Sequence, residues 1–265
     1  MTGDSVGRVL SWTMLGLVLL FLALPFLMIV PISFSASPVI AFPPQGFSLR
    51  WYANIRNADS ILSALSLSAQ IAFLSTCISL ILGTLCSIAI VRGYIAGGRA
   101  IATLMVSPLM VPGLVLGIAF LQAARELGLR DAYFTLLFAH VIVTLPFIMR
   151  TVLASLSLFD FTMIDAARML GLSYPMALWK VLVPSILPGF MSGALFAFVA
   201  SFDNYPVSIF LVDVRTKTLP IQLLNQLEMS PDPTLAAVST ILVGLTICAL
   251  IACDRLVGLR RMAAI

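Results

Sequence analysis

The chain has 265 residues, of which 61% are hydrophobic and only 10% charged. A soluble domain of this length cannot hide so much apolar surface in one core, so lipid must be the solvent for much of it. The net charge of +4 comes with no basic run beyond "LRR" at Arg260 and Arg261, which fits anchoring charge at a membrane face and not a nucleic-acid surface. Cys77, Cys86, Cys248 and Cys253 all lie in apolar windows and read as small buried residues, not as a disulfide framework. A single histidine with no CxxC or HExxH pattern argues against a metal site.

A bilayer core takes about 20 predominantly apolar helical residues to cross, and six windows meet that need. The first runs from Val9 to Phe34. "SFSAS" behind it weakly resembles a signal-peptide cleavage site, but the apolar run is about twice the usual 7–15 residues of a signal sequence, so a retained span is expected. Residues 35–59 carry prolines, Gly46 and polar groups, which predicts a loop with a short interfacial element where Trp51 and Tyr52 would sit. Ser60 to Val91 is free of charge and forms the second span, closed by Arg92. After the basic turn "RGYIAGGR", Ala100 to Ala124 forms the third, kinked at Pro108 and Pro112 unless neighbours satisfy the freed carbonyls. The polar loop "RELGLRD" leads to a fourth span, Ala132 to Met149, capped by Arg150. A fifth span covers about Ile186 to Leu211, and a sixth about Thr234 to Ala252.

Basic residues set the orientation. With both termini inside, Arg8, Arg92, Arg99, Arg150, Arg168, Lys180, Arg255, Arg260 and Arg261 face the cytoplasm. Arg50, Arg56, Arg125, Arg130, Arg215 and Lys217 then face outward, and the bias favours N-in, C-in. The segment "DAARMLGLSYPMALWKVLVPSILPG", Asp165 to Gly189, is then cytoplasmic at its start. Its residues predict a helix–turn–helix. Asp160 is an N-cap acid, and Ala166 and Ala167 are small enough to admit another surface. Gly171 is where a helix stops in the left-handed conformation. Ser173 caps a second short helix with Pro175 in its first turn, and that helix ends at Pro184. Two roles fit such a knob: filling a groove in a partner protein, or lying on lipid as an amphipathic hairpin.

The spacing Asp165-Ala166-Ala167, three residues, Gly171, nine residues, then Val181-Leu182-Val183-Pro184 resembles the cytoplasmic EAA signature of ABC importer permeases. Asp stands for Glu, and Val for both Ile and Leu. "HVIVTLPFIMRTVLASL" and "SGALFAFVASFDNYPVSIFL" narrow the resemblance to the spermidine/putrescine (PotC-like) class, in which two different permeases pair. It implies an all-α, six-span type I importer permease, one domain over residues 1–265. The core spans would be about 60–255, and an EAA coupling segment at 160–184 would dock into a cytoplasmic ATPase dimer through Asp165, Ala166, Ala167, Gly171, Ser173 and Pro184. The implied partners are that ATPase, a second permease subunit, an extracytoplasmic solute-binding protein and membrane lipid. The implied location is the bacterial inner membrane. No Walker-type GxxxxGK[ST] occurs, so ATP and Mg would be used by the ATPase and this chain would bind no cofactor.

Asp203, beside Asn204 and Tyr205, sits within the fifth apolar window. An intramembrane carboxylate is expensive and faces a cavity or a partner by default. It either lines the solute path with Asn204 and Tyr205, favouring a cation such as a polyamine, related amine, amino-acid derivative or opine, or it lies near the outer end of the span and pairs elsewhere. His140 in the fourth span serves as an interhelical hydrogen-bonding residue or as a proton relay. A membrane-embedded enzyme is the rival class, but no paired acids or Ser/His/Asp grouping supplies catalytic residues. A passive channel or scaffold would have no use for a charged coupling hairpin.

Overall fold

A computed structural model describes residues 3–257, and every regular element among them is helical. The basic pair Arg260-Arg261 counted above lies outside those residues. Five described helices are long and apolar enough to cross a membrane, and a bent pair makes a sixth if it counts as one span. The chain divides into two compact units, one built from residues up to Leu62 with Leu223–Cys248, the other from Ser63–Gln222 with the residues from Ala249 onward.

In the first unit, α1 (Gly3–Ser33) runs straight through Pro25 and Pro31, which an apolar membrane helix tolerates better than a soluble one. The expected interfacial element is α2 (Arg50–Ile55). Its Trp51 is buried, not spread at an interface, because the indole N–H donates to the Ser35 carbonyl at 2.7 Å. The Tyr52 hydroxyl meets Ser33 Oγ at 2.7 Å, and Asn54 donates to Thr234 Oγ1 at 3.1 Å, tying α2 to the start of α12 (Thr234–Val257). The chain leading into α12 comes from α11 (Leu219–Met229).

In the second unit, α3 (Asp59–Val91) brings in its residues from Ser63 onward. The window expected to be one kinked span is two helices, α4 (Gly98–Val106) and α5 (Gly113–Glu126), crossing at 107°. Between them a 3₁₀ turn covers Ser107–Met110, and Val111 and Pro112 are extended at ψ 132° each. Pro112 pushes the residue before it out of the helical region and then opens the next helix, so two prolines four positions apart break the rod.

Helix α6 (Ala132–Ser157) does not stop at Arg150 as expected but continues for about two more turns. Nothing after Arg150 breaks a helix until Leu158, and Val152 and Leu156 are fully buried, so packing carries the helix on. Its Asp131 side chain accepts the Phe134 amide at 3.1 Å, an ordinary N-cap. Helix α7 (Thr162–Met169) follows. Then α8 (Tyr174–Ala177), a π turn (Leu178–Leu182) and α9 (Val183–Phe202) form one continuous helix. The second short helix therefore does not end at Pro184. The wide turn ahead of the proline gives its ring room, and the missing amide falls in the first turn of α9.

Helices α6 and α9 pack extensively against each other, and glycines set their distance. A Cβ at Gly189 would lie 2.9 Å from the Thr151 carbonyl oxygen and closer still to Ser155 Oγ, while one at Gly193 would run into Thr151 Oγ1. "GFMSG" is thus a small-xxx-small stripe that lets two membrane helices approach at backbone distance.

Candidate functional site

The hairpin at 160–184 is built as the sequence suggests in its first half. The Asp160 carboxylate accepts the Thr162 amide at 2.9 Å. Hydrogen bonds from the Thr162 backbone and then its side chain hold that exposed carboxyl below the usual aspartate range. Ile164 and Ala167 turn inward onto Ile148, Val152, Leu156, Ala177 and Leu182. Asp165 and Ala166 face outward. Only Ala166 of the alanine pair therefore offers a free surface, because Ala167 is covered by the chain's own helices.

Gly171 ends α7 at φ +95°. Its amide donates to the Arg168 carbonyl at 2.9 Å, and the Leu172 amide to Ala167 at 3.2 Å. Together these two bonds are a Schellman motif, the ending glycine makes cheap. Met169 and Leu170, 90% and 87% exposed, project at the tip. Ser173 takes the N-cap position with φ −64° and ψ 154°, but its hydroxyl makes no capping bond, and only its carbonyl joins the helix by accepting Ala177 N–H at 2.9 Å. Pro184 is exposed within the continuous helix.

A clamp that was not foreseen braces the hairpin from the "RGYIAGGR" turn. Arg92 Nε reaches the Tyr94 hydroxyl at 3.3 Å, and that hydroxyl reaches Tyr174 at 3.3 Å. The Arg92 guanidinium lies 5.0 Å from the Phe161 ring, and Arg168 lies 5.7 Å from the Tyr174 ring. In the sequence Arg92 and Tyr94 are one basic residue and one tyrosine in a turn, and nothing local announces a partner some 80 positions away.

The second region is a pair of chain breaks. The fifth span does not run to Leu211: α9 ends at Phe202, Asp203 is its C-cap, and Asn204 caps the short helix α10 (Tyr205–Ser208) by accepting Val207 N–H at 3.1 Å. Asn204 as a capping residue and Pro206 in the first turn start a new helix there. Asp203 is therefore at a helix end and not inside one. It is exposed, and its carboxylate takes part in no hydrogen bond or ion pair among the described residues.

The other break, between α4 and α5, faces this one. A Cβ at Gly113 would lie 2.9 Å from Pro206 Cβ, and one at Gly117 only 2.7 Å from the Phe210 ring and 3.0 Å from the carbonyl oxygens of Pro206 and Val207. The two breaks border an open cavity of about 190 Å³ lined by Pro108, Val111, Gly113, Val143, Ala200 and Asn204, among others. Of the three expected path residues only Asn204 lines it. Asp203 and Tyr205 flank it in sequence.

Behind the break lies a buried polar network. His140, 1% exposed, has Nδ1 2.7 Å from Ser201 Oγ and Nε2 3.0 Å from Ser208 Oγ. Ser201 Oγ is 3.1 Å from Ser75 Oγ, and Ser208 Oγ donates to the Asn204 carbonyl. One turn along α6, Thr144 donates to the His140 carbonyl at 2.7 Å and sits 2.7 Å from Ser79 Oγ. Hydroxyls of Ser and Thr in apolar windows carry no sequence signal of mutual contact, so only His140 and Asn204 could have been marked beforehand.

Membrane-length helices, broken rods around a largely apolar cavity with Asn204 at its wall, and an exposed hairpin tied to the helix core are features of a helical transport protein. Residues 79–257 match the family described as the binding-protein-dependent transport system inner membrane component, and the chain belongs to that family. It is thereby a multi-pass inner-membrane permease subunit of an ABC importer, a transport component and not an enzyme. Its transport depends on a binding protein and an ATPase.

Among relatives, it is 29% identical over 247 residues to the spermidine/putrescine transport system permease protein PotC of Escherichia coli (strain K12), covering 93% of each chain. It is 30% identical over 227 residues to PotC of Haemophilus influenzae, covering 86% of this chain and 88% of that one. It is also 29% identical over 231 residues to the putrescine permease PotI of E. coli, covering 84% and 82%. A bacterial ABC transporter that imports the acidic polysaccharide alginate shares the fold with a TM-score of 0.75 at 16% identity, over 96% of this chain and 98% of that one. The methionine transporter MetNI matches at 0.56 and 22% identity, over 76% and 94%.

Proposed function

We propose that this chain, acting as one permease domain with six spans and both ends in the cytoplasm, carries a small cationic solute of the polyamine type inward. The observation that carries it is the unpaired Asp203 carboxylate at the C-terminal end of α9. An acid there meets the negative end of the helix dipole and gains nothing from it. Carboxylate and helix-end carbonyls together favour a cation, as half-helix C-termini do at other membrane ion sites. The similarity to PotC and PotI supports an amine. Asn204 at the cavity wall and Tyr205 beside it complete the path side.

On the other side, Asp165, Ala166, Gly171 and the exposed Met169 and Leu170 form the surface offered to a cytoplasmic ATPase dimer. Ala167, Ser173 and Pro184 shape the hairpin from within the chain. The ATPase uses ATP and Mg. A second permease subunit and an external binding protein complete the complex.

Two measurements test this. Asp203→Asn keeps the shape and removes an attraction that a low dielectric strengthens, so putrescine uptake per assembled complex should fall while basal ATPase activity persists. Unchanged uptake in both Asp203→Asn and Asp203→Ala removes the residue from the path. For topology, single cysteines are placed in a chain whose native cysteines are alanine. Gln45→Cys should react with an impermeant thiol reagent added outside, and Ser173→Cys should not. The reverse pattern inverts the orientation and removes the hairpin from the cytoplasm.

A further inference from the structure

The hydrogen bonds around His140 have only one consistent direction. Ser208 spends its hydroxyl proton on the Asn204 carbonyl, so toward the imidazole it can only accept, and Nε2 must carry the ring proton. A neutral ring then has a bare Nδ1, which accepts from Ser201 at 2.7 Å. Ser75, whose hydroxyl donates to the Ala72 carbonyl at 3.2 Å, lies 3.1 Å from Ser201 and is not needed to fix these directions. The chain of donors thus runs from Ser201 through His140 to Ser208 and ends on the backbone carbonyl of Asn204.

Its geometry matters as much as its direction. Ser201 belongs to the last turn of α9, and Ser208 to the helix after the break. The two ring nitrogens therefore hold the chain on both sides of Asp203-Asn204. A ring buried to 1% exposure in an apolar bundle cannot exchange those partners for water. We propose that His140 is the positioning residue of the solute path: as the Nε2–H tautomer it staples the break and fixes where Asn204 meets the cavity. A serine or threonine at position 140 could not span both hydroxyls. This rests on the cavity's being part of the path.

The test uses the assembled complex in proteoliposomes with its binding protein and radiolabelled putrescine. Beside uptake, it follows the rate at which Val111→Cys at the cavity wall, in the cysteine-free chain, reacts with a methanethiosulfonate reagent. His140→Ala leaves two buried hydroxyls without their partner and should lower uptake per assembled complex about tenfold. It should also change the Val111→Cys reaction rate, which a residue needed only for assembly would leave alone. Because the three residues act as one unit, adding Ser208→Ala to His140→Ala should cost nothing more.

Normal uptake and normal Val111→Cys reactivity in His140→Ala overturn the proposal, as do losses that multiply in the double variant. If His140→Ala fails to assemble, Ser201→Ala/Ser208→Ala removes the same bonds with less volume and is read by the same two measurements. Asn204→Ala separates the staple from the path. Normal uptake there, with altered cysteine reactivity in His140→Ala, refutes the path and keeps the staple. Lost uptake there, with His140→Ala normal in both measurements, keeps the path and refutes the staple.

Discussion

Gly171→Asp should abolish solute uptake while the subunit remains in the membrane at normal abundance. The left-handed conformation at φ +95° costs a residue with a Cβ on the order of 1 kcal/mol, too little to unfold a chain held by a core as large as that beneath α7. Within the chain a Cβ at this position would meet nothing within 4 Å. Any loss beyond backbone strain must therefore come from something that docks against the tip. Gly171→Ala isolates the strain and should retain much of the uptake. Gly171→Asp adds bulk and charge between Leu170 and Leu172, where the ATPase surface would lie. Uptake and ATPase activity, each normalised to assembled complex, decide it. Normal transport by Gly171→Asp would show that the hairpin tip is free of a partner.

Gly117→Leu should prevent α5 from seating and sharply reduce the folded subunit. The obstacles at Gly117 include two backbone carbonyls at 3.0 Å, and backbone cannot rotate away as a side chain can. Overfilling a packed site by a few methylenes costs about 1–3 kcal/mol even where neighbours yield, and here they belong to the capped break at Asn204. Gly244→Leu is the matched control, since a Cβ there meets nothing within 4 Å. Thermal unfolding of the solubilised complex and subunit abundance in membranes should both separate the two variants. Equal stability would mean that α5 does not pack against the 205–210 segment as it does here.

What the sequence made legible follows the reach of each signal. Charge-free windows mark α1, α3, α6 and α12 because desolvation of a charge in lipid is local and large. Gly171 is legible for the same reason: a left-handed helix ending depends on one residue and its immediate neighbours. The misplaced boundaries have causes that the stopping residue itself does not announce. Arg150 looks like a stop, but the helix continues because Val152 and Leu156 pack against residues of α7 and α9. Pro184 looks like an ending, but a wider turn before it absorbs the strain. Asp203 looks intramembrane, since "SFDNYPVSIF" is apolar around it, and only Asn204 capping Val207 turns that run into a break. Least legible is the Arg92–Tyr94–Tyr174 clamp, because an aromatic contact between two turns leaves no periodicity.

The π turn at Leu178–Leu182 has a consequence for the hairpin's aim. A regular helix advances about 100° per residue, and a turn closed by i→i+5 bonds holds roughly one residue more than its neighbours. The extra residue keeps Ala177, which seats α7, on the same buried face as Leu182, Ile186 and Ala197, five positions away and then in steps of the ordinary helix. Removing one residue from Leu178–Leu182 would close the wide turn to a regular one and leave that line intact, whereas a residue removed from the regular helix beyond it would turn the knob about the rod axis by about 100°. The wide turn is thus a spacer that takes up one residue without re-aiming the cytoplasmic end.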